Sequence, residues 1–215
     1  MSGRARVAVA TRSAHTLREL QELLGPLVSS EVELVSLDEL GIPDEVDETG
    51  ATFEANARLK ARTYARLTGL PTLADDSGLE VDALDGGPGV RTKRYAGEQA
   101  TDEDNNRKLL GALAGLSPER RGARYVCILA LAMPGQRGPR GGLRLVTTRG
   151  TCRGRIATTP RGTGGFGYDP IFEPAPEPVG GRTLGLYSVA EKHAISHRSK
   201  AAHRMAPRLV AALAR

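Results

Sequence analysis

Short apolar strands alternate with helical periodicity along the first half of the chain. Residues 6–11 (RVAVAT) and 32–37 (VELVSL) have the composition of buried strands, and residues 14–27 between them repeat leucines at helical spacing. A second helix is predicted over residues 52–68, with Phe53 on its apolar face. Strands that alternate with helices are typical of α/β domains. We therefore predict an α/β fold.

The second half of the chain adds strands that no helix separates. Residues 72–83 predict a strand, a turn at Ser77-Gly78 and another strand. Residues 123–133 form the most apolar run, and a Gly/Pro/Arg tip at 134–142 joins it to a predicted strand over 143–156. Such a pair is expected to form a long hairpin. The sheet is therefore predicted to be mixed, with helices flanking it.

Two capping boxes predict the starts of further helices. Thr101 precedes Asp104 by three residues, and Ser188 precedes Glu191 by three residues. The first predicts a helix that ends near residue 114, and the second opens a short helix. A C-terminal helix is predicted after Arg198.

Composition restricts the class of protein. The 215 residues are enough for one domain, at most with two lobes. No stretch resembles a membrane span or a signal peptide, and Cys127 and Cys152 lack metal-like spacing, so a cytoplasmic protein with reduced thiols is expected. A net charge of +5 fits a polyanionic ligand, or a nucleic acid. The basic residues are dispersed and aromatic residues make up only 4%, which is low for a nucleic-acid stacking surface.

The segment GTGGFGYDP at residues 162–170, called the aromatic loop below, is the strongest candidate for ligand binding. Its four glycines cost backbone entropy, yet they surround Phe166, Tyr168 and Asp169. Such a loop can bring its backbone close to a ligand, stack one ring on it and direct one carboxylate towards it. The alternative is a glycine-rich hairpin turn.

Carboxylates with the character of Mg²⁺ ligands occur at two places. Asp75 and Asp76 follow an apolar strand, and because adjacent strand residues point to opposite faces, only one of them can face a given cleft. Glu48 lies at the mouth of the second helix. Mg²⁺ takes few protein carboxylates together with waters and substrate phosphates. The alternatives are a turn-capping aspartate and a glutamate that complements a helix dipole.

Basic residues form the complementary set. Lys60 lies seven residues after Phe53, on nearly the same helix face, and Lys192 falls just inside the helix opened by Ser188. Lysine binds phosphate as a point charge. His197 and Arg198 are adjacent donors that suit a carbonyl oxygen or a phosphate. The alternatives are solvated helix faces and a surface cap.

The turn after the first strand, ATRSAHT at residues 10–16, meets the start of a helix. In α/β sheets this is a common place for anion binding. The turn lacks the glycine pattern of a Walker loop or of a dinucleotide-binding fingerprint.

Several segments, taken in order, resemble one family, the inosine triphosphate pyrophosphatases. They are ATRSAHTLREL (10–20), ETGATFEANARLKA (48–61), ADDSGLEVDAL (74–84), GGPGV (86–90), RYAG (94–97), GTGGFGYDPIF (162–172) and EKHAISHR (191–198). The resemblance implies hydrolysis of ITP, dITP and XTP to the monophosphate and pyrophosphate. It also implies one two-lobed domain over residues 1–215, an elongated mixed sheet with a central active-site cleft, dependence on Mg²⁺, and a homodimer.

The resemblance assigns roles to matching positions. Glu48 and Asp76 are the implied metal ligands, with Asp76 also the general base. His197 and Arg198 are implied to read the purine 6-oxo group, and Phe166 to stack on the purine. The residues implied to bind substrate are Thr11, Ser13, Thr16, Lys60, Ser77, Phe166, Gly167, Tyr168, Asp169, Lys192, His197 and Arg198, in which Lys60 and Lys192 bind the triphosphate and Asp169 faces the base.

The first motif departs from the family pattern T-x-N-x-x-K. Ser13 stands where asparagine is usual, and Thr16 stands where lysine is usual. The loss of one charge-assisted phosphate contact costs on the order of 1.5–3 kcal/mol. Arg12, His15 and Lys93 are the candidates to replace the missing charge.

Two other functions compete with the enzyme. A nucleotide sensor of the same fold, with turnover weakened by Thr16, predicts ITP binding without pyrophosphate release. A nucleic-acid binder, suggested by the basic charge, predicts DNA or RNA affinity that falls steeply with salt.

Overall fold

The computed structural model describes residues 4–28, 32–135 and 142–214. Its strands are β1 (Ala5–Ala10), β2 (Val32–Ser36), β3 (Thr72–Val81), β4 (Gly122–Met133), β5 (Arg144–Ile156) and β6 (Phe172–Pro174). Its α-helices are α1 (Ala14–Leu24), α2 (Phe53–Thr68), α3 (Asp102–Ala112), α4 (Val189–Ile195) and α5 (His197–Leu213). None of the described helices is both long and apolar enough to cross a membrane.

The strands form a mixed six-stranded sheet in the order β2-β1-β3-β4-β5-β6. β1 runs parallel to both neighbours, and its Ala8 pairs with Val35 of β2 and with Thr72 of β3. β6 runs antiparallel to β5. Helices connect the parallel strands, since such strands need a crossover. The predicted α/β fold with a mixed sheet is confirmed.

One prediction about β3 is wrong. The sequence Asp-Ser-Gly favours a turn at Ser77-Gly78, yet β3 continues through these residues to Val81. β3 lies between β1 and β4 in the sheet. Pairing on both edges outweighs the local turn preference, because strand formation depends more on neighbours than on intrinsic propensity.

The predicted hairpin and capping boxes agree with the structure where it is described. β4 and β5 are neighbours in the sheet. Much of the predicted tip, residues 136–141, lies outside the described residues. Thr101 with Asp104, and Ser188 with Glu191, form reciprocal capping boxes at the starts of α3 and α4.

The chain divides into two compact units. The first comprises Met1–Asp76, Cys127–Gly150 and Arg198–Arg215, and the second comprises Ser77–Val126 and Thr151–His197. The core of the first unit takes residues from β1, α1, β4 and α5, among them Val7, Leu20, Leu24, Leu129, Leu131, Met205 and Leu209. Each side chain of this size contributes about 1.5–3 kcal/mol when it is fully buried.

The second unit has its own core. Leu79 and Val81 of β3 pack with Leu109 of α3, with Leu113 directly after this helix, and with the aromatic residues Tyr125, Tyr168 and Phe172. Cys127 and Cys152 are buried, and neither forms a disulfide. Each unit therefore has an apolar core of its own.

Candidate active site

Three residues distant in sequence meet in the first unit. The Lys60 ammonium donates to Glu48 Oε1 at 2.6 Å and to Asp76 Oδ1 at 2.9 Å. Lys60 lies on α2, Asp76 lies on β3, and Glu48 lies in the loop that precedes α2. We call this group the carboxylate–lysine cluster. All three residues were predicted site residues.

The loop that carries Glu48 is fixed to α2. Thr52 caps the helix by accepting from the Ala55 N–H, and the buried Asn56 accepts the Gly50 N–H at 2.7 Å. A Cβ at Gly50 would collide with the Asn56 side chain, so the close approach needs glycine here. Glu48 is thereby held two residues before this anchor.

Burial and charge shift the pKa values of the cluster. Burial raises the pKa of Asp76, Lys60 opposes this, and Glu48 adds to it, so that the pKa rises to about 6. For Lys60, burial lowers the pKa, but the carboxylates of Asp76 and Glu48 outweigh it and the net change is upward. Lys60 is therefore a permanent cation, and Asp76 titrates near neutrality.

The donor set of the cluster fits Mg²⁺. Two carboxylates share one ammonium, which leaves one negative charge in excess. Among the described residues, no group of three or more His, Cys, Asp or Glu side chains forms a cage for a metal. Mg²⁺ does not require such a cage, because one or two carboxylates suffice when phosphates and waters complete its shell.

Asp75 points away from this cluster, as adjacent strand residues must. Arg198 donates to Asp75 through Nε at 3.1 Å and Nη2 at 3.3 Å, and to Glu19 through Nη1 at 2.5 Å. The thiol of Cys127 donates to Asp75 at 3.1 Å. We call Glu19, Asp75 and Arg198 the buried arginine cluster, since the exposed fractions are 7%, 8% and 3%.

The buried arginine cluster holds two carboxylates against one guanidinium. Burial lowers the pKa of Arg198, but Asp75 and Glu19 outweigh it and raise the pKa overall, so the residue stays charged. Among the described residues, Glu19 Oε1 is buried without a hydrogen-bond partner. Glu19 was not identified from the sequence. Its position among the leucines of α1 was the available signal, because a buried carboxylate needs a partner of opposite charge.

The first motif forms the start of α1. Ser13 caps the helix by accepting from the Thr16 N–H at 3.3 Å, and Thr11 accepts from the Ser13 N–H at 3.2 Å. Thr16 is buried. Arg12 donates to Asp38 at 2.6 Å and to the carbonyls of Ile42 and Asp44. Arg12 therefore anchors a neighbouring loop, and both Arg12 and His15 are exposed in this turn.

The aromatic loop is built around Asp169 in the second unit. Asp169 is 2% exposed, and its Oδ2 accepts from the Phe166 N–H at 3.0 Å and from Lys192 at 2.6 Å. Its Oδ1 accepts from the Tyr125 hydroxyl at 3.4 Å. Gly165 has φ +75°, and a Cβ there would overlap the Asp169 carboxylate. Glycine is therefore required for the loop to close around this carboxylate.

The ring of Phe166 in this loop contacts an ammonium, and two further rings stack beside Asp169. Lys192 Nζ lies 4.4 Å from the centroid of the Phe166 ring. The rings of Tyr125 and His197 stack at 4.8 Å between centroids, with 9° between their planes. Burial raises the pKa of Tyr125 well above its ordinary value, so its hydroxyl keeps its proton. Sequence reasoning missed Tyr125, a hydroxyl-bearing residue in the most apolar strand.

The predicted site residues thus fall into two groups. Those in the first unit are Thr11, Ser13, Thr16, Glu48, Lys60, Asp76 and Arg198. Those in the second unit are Ser77, Phe166, Gly167, Tyr168, Asp169, Lys192 and His197. Ser77 follows Asp76 on β3 and is half-buried.

Comparison with known proteins identifies relatives over almost the whole chain. Residues 7–208 match the model of the Ham1 family. The dITP/XTP pyrophosphatase of Anaeromyxobacter sp. (strain Fw109-5) is 47% identical over 88% of this chain and 90% of its own. The dITP/XTP pyrophosphatase of Nocardia farcinica is 46% identical over 96% of each chain.

A solved structure agrees with these sequence relatives. The HAM1 protein from Coxiella burnetii superposes with a TM-score of 0.80 at 40% identity, over 96% of this chain and 99% of that one. Fold and sequence agree over nearly the full length, and the chain belongs to the Ham1 family.

Proposed function

We propose that this chain hydrolyses the triphosphates of deaminated purines, such as ITP, dITP and XTP, to the monophosphate and pyrophosphate. The observation that carries the proposal is the carboxylate–lysine cluster, found in a chain 46% identical to a dITP/XTP pyrophosphatase. The names of the relatives support a hydrolase over a sensor that only binds nucleotides. The chemistry of the cluster also favours a hydrolase, because the Asp76 carboxylate can accept a proton from water.

The carboxylate–lysine cluster suits the phosphate end of the substrate. A carboxylate with a pKa of about 6 is ionised at pH 7 and is still basic enough to take a proton from an attacking water. Attack at the α-phosphorus breaks its bond to the bridging oxygen, and pyrophosphate leaves with that oxygen. The Lys60 ammonium, already held at this place, stabilises the charge that develops on the phosphates.

Glu48 and Asp76 are the residues that would hold Mg²⁺. When it is bound, the ion supplies charge stabilisation on the phosphate oxygens and orients the substrate. Lys60 Nζ lies between the two carboxylates, 2.6 Å from Glu48 Oε1 and 2.9 Å from Asp76 Oδ1. The negative charge that holds this ammonium is the same charge that would attract Mg²⁺.

The aromatic loop and its neighbours suit the base end. The Phe166 ring provides a surface for stacking, and His197 and Arg198 are the proposed donors for the 6-oxo group of hypoxanthine or xanthine. Adenine carries an amine at this position, which leaves such donors unpaired, and mismatches of this kind reduce kcat/KM by orders of magnitude. Stacking on Tyr125 fixes the plane of the His197 ring.

A panel of nucleoside triphosphates tests the function. We expect pyrophosphate release from ITP, dITP and XTP with Mg²⁺, at least a hundredfold slower release from ATP, and none without the metal. ITP binding without release supports the sensor instead. Retention of DNA or RNA at low salt, lost steeply as salt rises, supports the nucleic-acid binder.

Homodimerisation and a cytoplasmic location complete the proposal. The family resemblance implies the homodimer, and the two buried cysteines, which form no disulfide, agree with a cytoplasmic location. Sedimentation of the purified protein at micromolar concentration tests the dimer.

Replacing Phe166 by alanine is expected to raise the KM for ITP about tenfold, because base–aromatic stacking contributes roughly 1–3 kcal/mol per base. Phe166→Tyr keeps the ring and is the matched control, with a KM expected within twofold of the parent. Steady-state kinetics on both variants measure the effect. An unchanged KM in Phe166→Ala would mean that the ring serves packing alone.

Mg²⁺ binding is expected to weaken below pH 6. The pKa of Asp76 is raised to about 6, so the carboxyl is ionised at pH 7 and mostly protonated at pH 5. Protons then compete with the metal, and the affinity falls up to about tenfold per pH unit. Calorimetric titration with Mg²⁺ between pH 5 and 8 measures this. Affinity that stays constant over that range contradicts the assignment of Asp76 as a ligand.

Thr16→Lys is expected to raise turnover or leave it unchanged, since it restores a cation that the family carries there. The new ammonium lies one helical turn before Glu19, whose Oε1 is buried without a partner among the described residues. Pairing with Glu19 is expected to offset the cost of a longer side chain at this buried position, so the melting temperature is expected to stay close to that of the parent. Thr16→Met, of similar length without the charge, is the control, and a clear loss of turnover in Thr16→Lys alone refutes the expectation.

A further inference from the structure

One helix holds the main chain of the aromatic loop at a single residue. The Gly167 N–H donates to Asp102 Oδ2 at 2.6 Å, and the Gly167 carbonyl accepts from Asn106 Nδ2 at 3.0 Å. Asp102 and Asn106 lie four residues apart on α3 and so share one face of the helix. Both polar groups of the residue that follows Phe166 are therefore bound to α3.

The helix is a firm support. Leu109 and Leu113 are fully buried in the core of the second unit, and the Thr101–Asp104 capping box fixes the first turn. Asn105 binds a second segment, accepting from the Ala96 N–H at 2.8 Å and donating to the Lys93 carbonyl at 3.0 Å. The face that meets Gly167 is therefore anchored from several sides.

A further hydrogen bond holds Tyr168, the residue after Gly167. The Tyr168 hydroxyl donates to the Thr92 carbonyl at 2.8 Å. Burial raises the pKa of Tyr168, with contributions from Tyr95 and Asp102, so the hydroxyl keeps its proton and remains a donor. Phe166 itself is bound through its N–H to Asp169. The backbone is thus fixed on both sides of the Phe166 ring.

An asparagine at position 106 lowers the free energy of unfolding relative to an apolar residue. The side chain is 8% exposed, and its Oδ1 is buried without a hydrogen-bond partner among the described residues. A buried polar atom in this state is destabilising, and an apolar residue of the same size avoids the penalty. The bond from Nδ2 to Gly167 is the contact that an asparagine supplies and an apolar residue does not.

We propose that Asp102 and Asn106 are positioning residues for purine recognition, which act through the backbone of Gly167 to hold the Phe166 ring in place. The proposal rests on the proposed function, because it assigns Phe166 to the base. Neither residue is expected to touch the substrate. Their loss is expected to impair binding of the base while the phosphate chemistry is preserved.

Hydrogen exchange tests the mechanical part without any substrate. In Asp102→Ala we expect the amides of residues 164–169 to exchange about tenfold faster, since the charge-assisted bond to the Gly167 N–H is lost. Asp102→Asn keeps an acceptor oxygen and is expected to restore most of the protection. Glu103→Ala is the control for the helix dipole. It removes a neighbouring carboxylate of the first turn, which in the described part of the chain binds only Arg107, at 3.3 Å.

Kinetics test the functional part. Asp102→Ala and Asn106→Leu are expected to raise the KM for ITP about five- to tenfold, with kcat and the inhibition constant of inorganic pyrophosphate within twofold of the parent. Asn106→Leu is expected to keep or raise the melting temperature, which a purely structural role would not predict. Glu103→Ala is expected to match the parent in all of these measurements.

The outcomes separate this proposal from the proposed function. If the parent releases pyrophosphate from ITP but loop exchange is the same in Asp102→Ala and Glu103→Ala, the positioning role is refuted and the function stands. Equal losses of ITP and pyrophosphate binding in Asn106→Leu also refute it. If the parent does not hydrolyse ITP, the function fails, while faster exchange confined to Asp102→Ala still supports the anchoring of the loop.

Discussion

Asp76→Asn is expected to reduce pyrophosphate release from ITP by about a thousandfold or more while the protein stays folded. The substitution removes a base of pKa about 6 and a metal ligand together, and general base catalysis alone contributes about 10²–10⁴-fold. Single-turnover assays with saturating ITP and Mg²⁺ measure the loss. Glu54→Gln neutralises another carboxylate, half-exposed on α2 and paired with Arg58, and is the control expected to keep full activity.

Asp76→Asn is also expected to be no less stable than the parent at pH 7. The pKa of Asp76 is raised in the folded state, so the native carboxyl binds its proton more tightly than the unfolded one. Its ionisation therefore lowers the free energy of unfolding as pH rises from about 4 to 6, and asparagine removes that penalty. Thermal melts at pH 5 and 7 measure it. A large drop in melting temperature, or near-normal turnover, contradicts the role given to Asp76.

Arg198→Met is expected to lower the free energy of unfolding by about 3–5 kcal/mol, since it leaves Asp75 and Glu19 buried without their counter-charge. Arg198→Lys is expected to recover only part of this, because an ammonium lacks the planar fork that binds both carboxylates. Urea titration of each variant measures the stability at pH 7.

A triple variant separates structure from recognition. Arg198→Met combined with Asp75→Asn and Glu19→Gln removes all the charges of the buried arginine cluster, and stability is expected to return to near the parent value. Selectivity for ITP over ATP is expected to stay impaired, because Arg198 is proposed to read the base as well. A loss below about 1 kcal/mol in Arg198→Met would mean that the cluster is not a buried ion pair.

Much of the local structure could be predicted because local signals were consistent. Leucine spacing predicted α1, and the Thr101–Asp104 and Ser188–Glu191 boxes predicted the starts of α3 and α4. The turn at Ser77-Gly78 was predicted wrongly, since the preference of three residues was outweighed by two neighbouring strands. The candidate residues could be named from their motifs, because the chemistry of a side chain does not depend on how far apart the motifs lie in the chain.

The partners of those residues could not be predicted. Adjacent aspartates had to face opposite ways, but the sequence did not reveal that Asp76 meets Lys60 while Asp75 meets Arg198. Nothing in the sequence linked Tyr125 to Asp169 or Glu19 to Arg198, and only packing brought their polar atoms together.

The sequence by itself determined most of the helices and strands, the residue types that suit phosphate and purine chemistry, and the family to which the chain belongs. Only the tertiary structure decided which charges are neutralised, which carboxylate has a pKa near neutrality, and which helix supports the aromatic loop. The physical reason is that helix starts and apolar periodicity depend on residues close in the chain, whereas the course of β3 through Ser77-Gly78 depended on the strands beside it. Electrostatics and positioning depend on burial and on distances of about 3 Å between groups as far apart as Asp75 and Arg198.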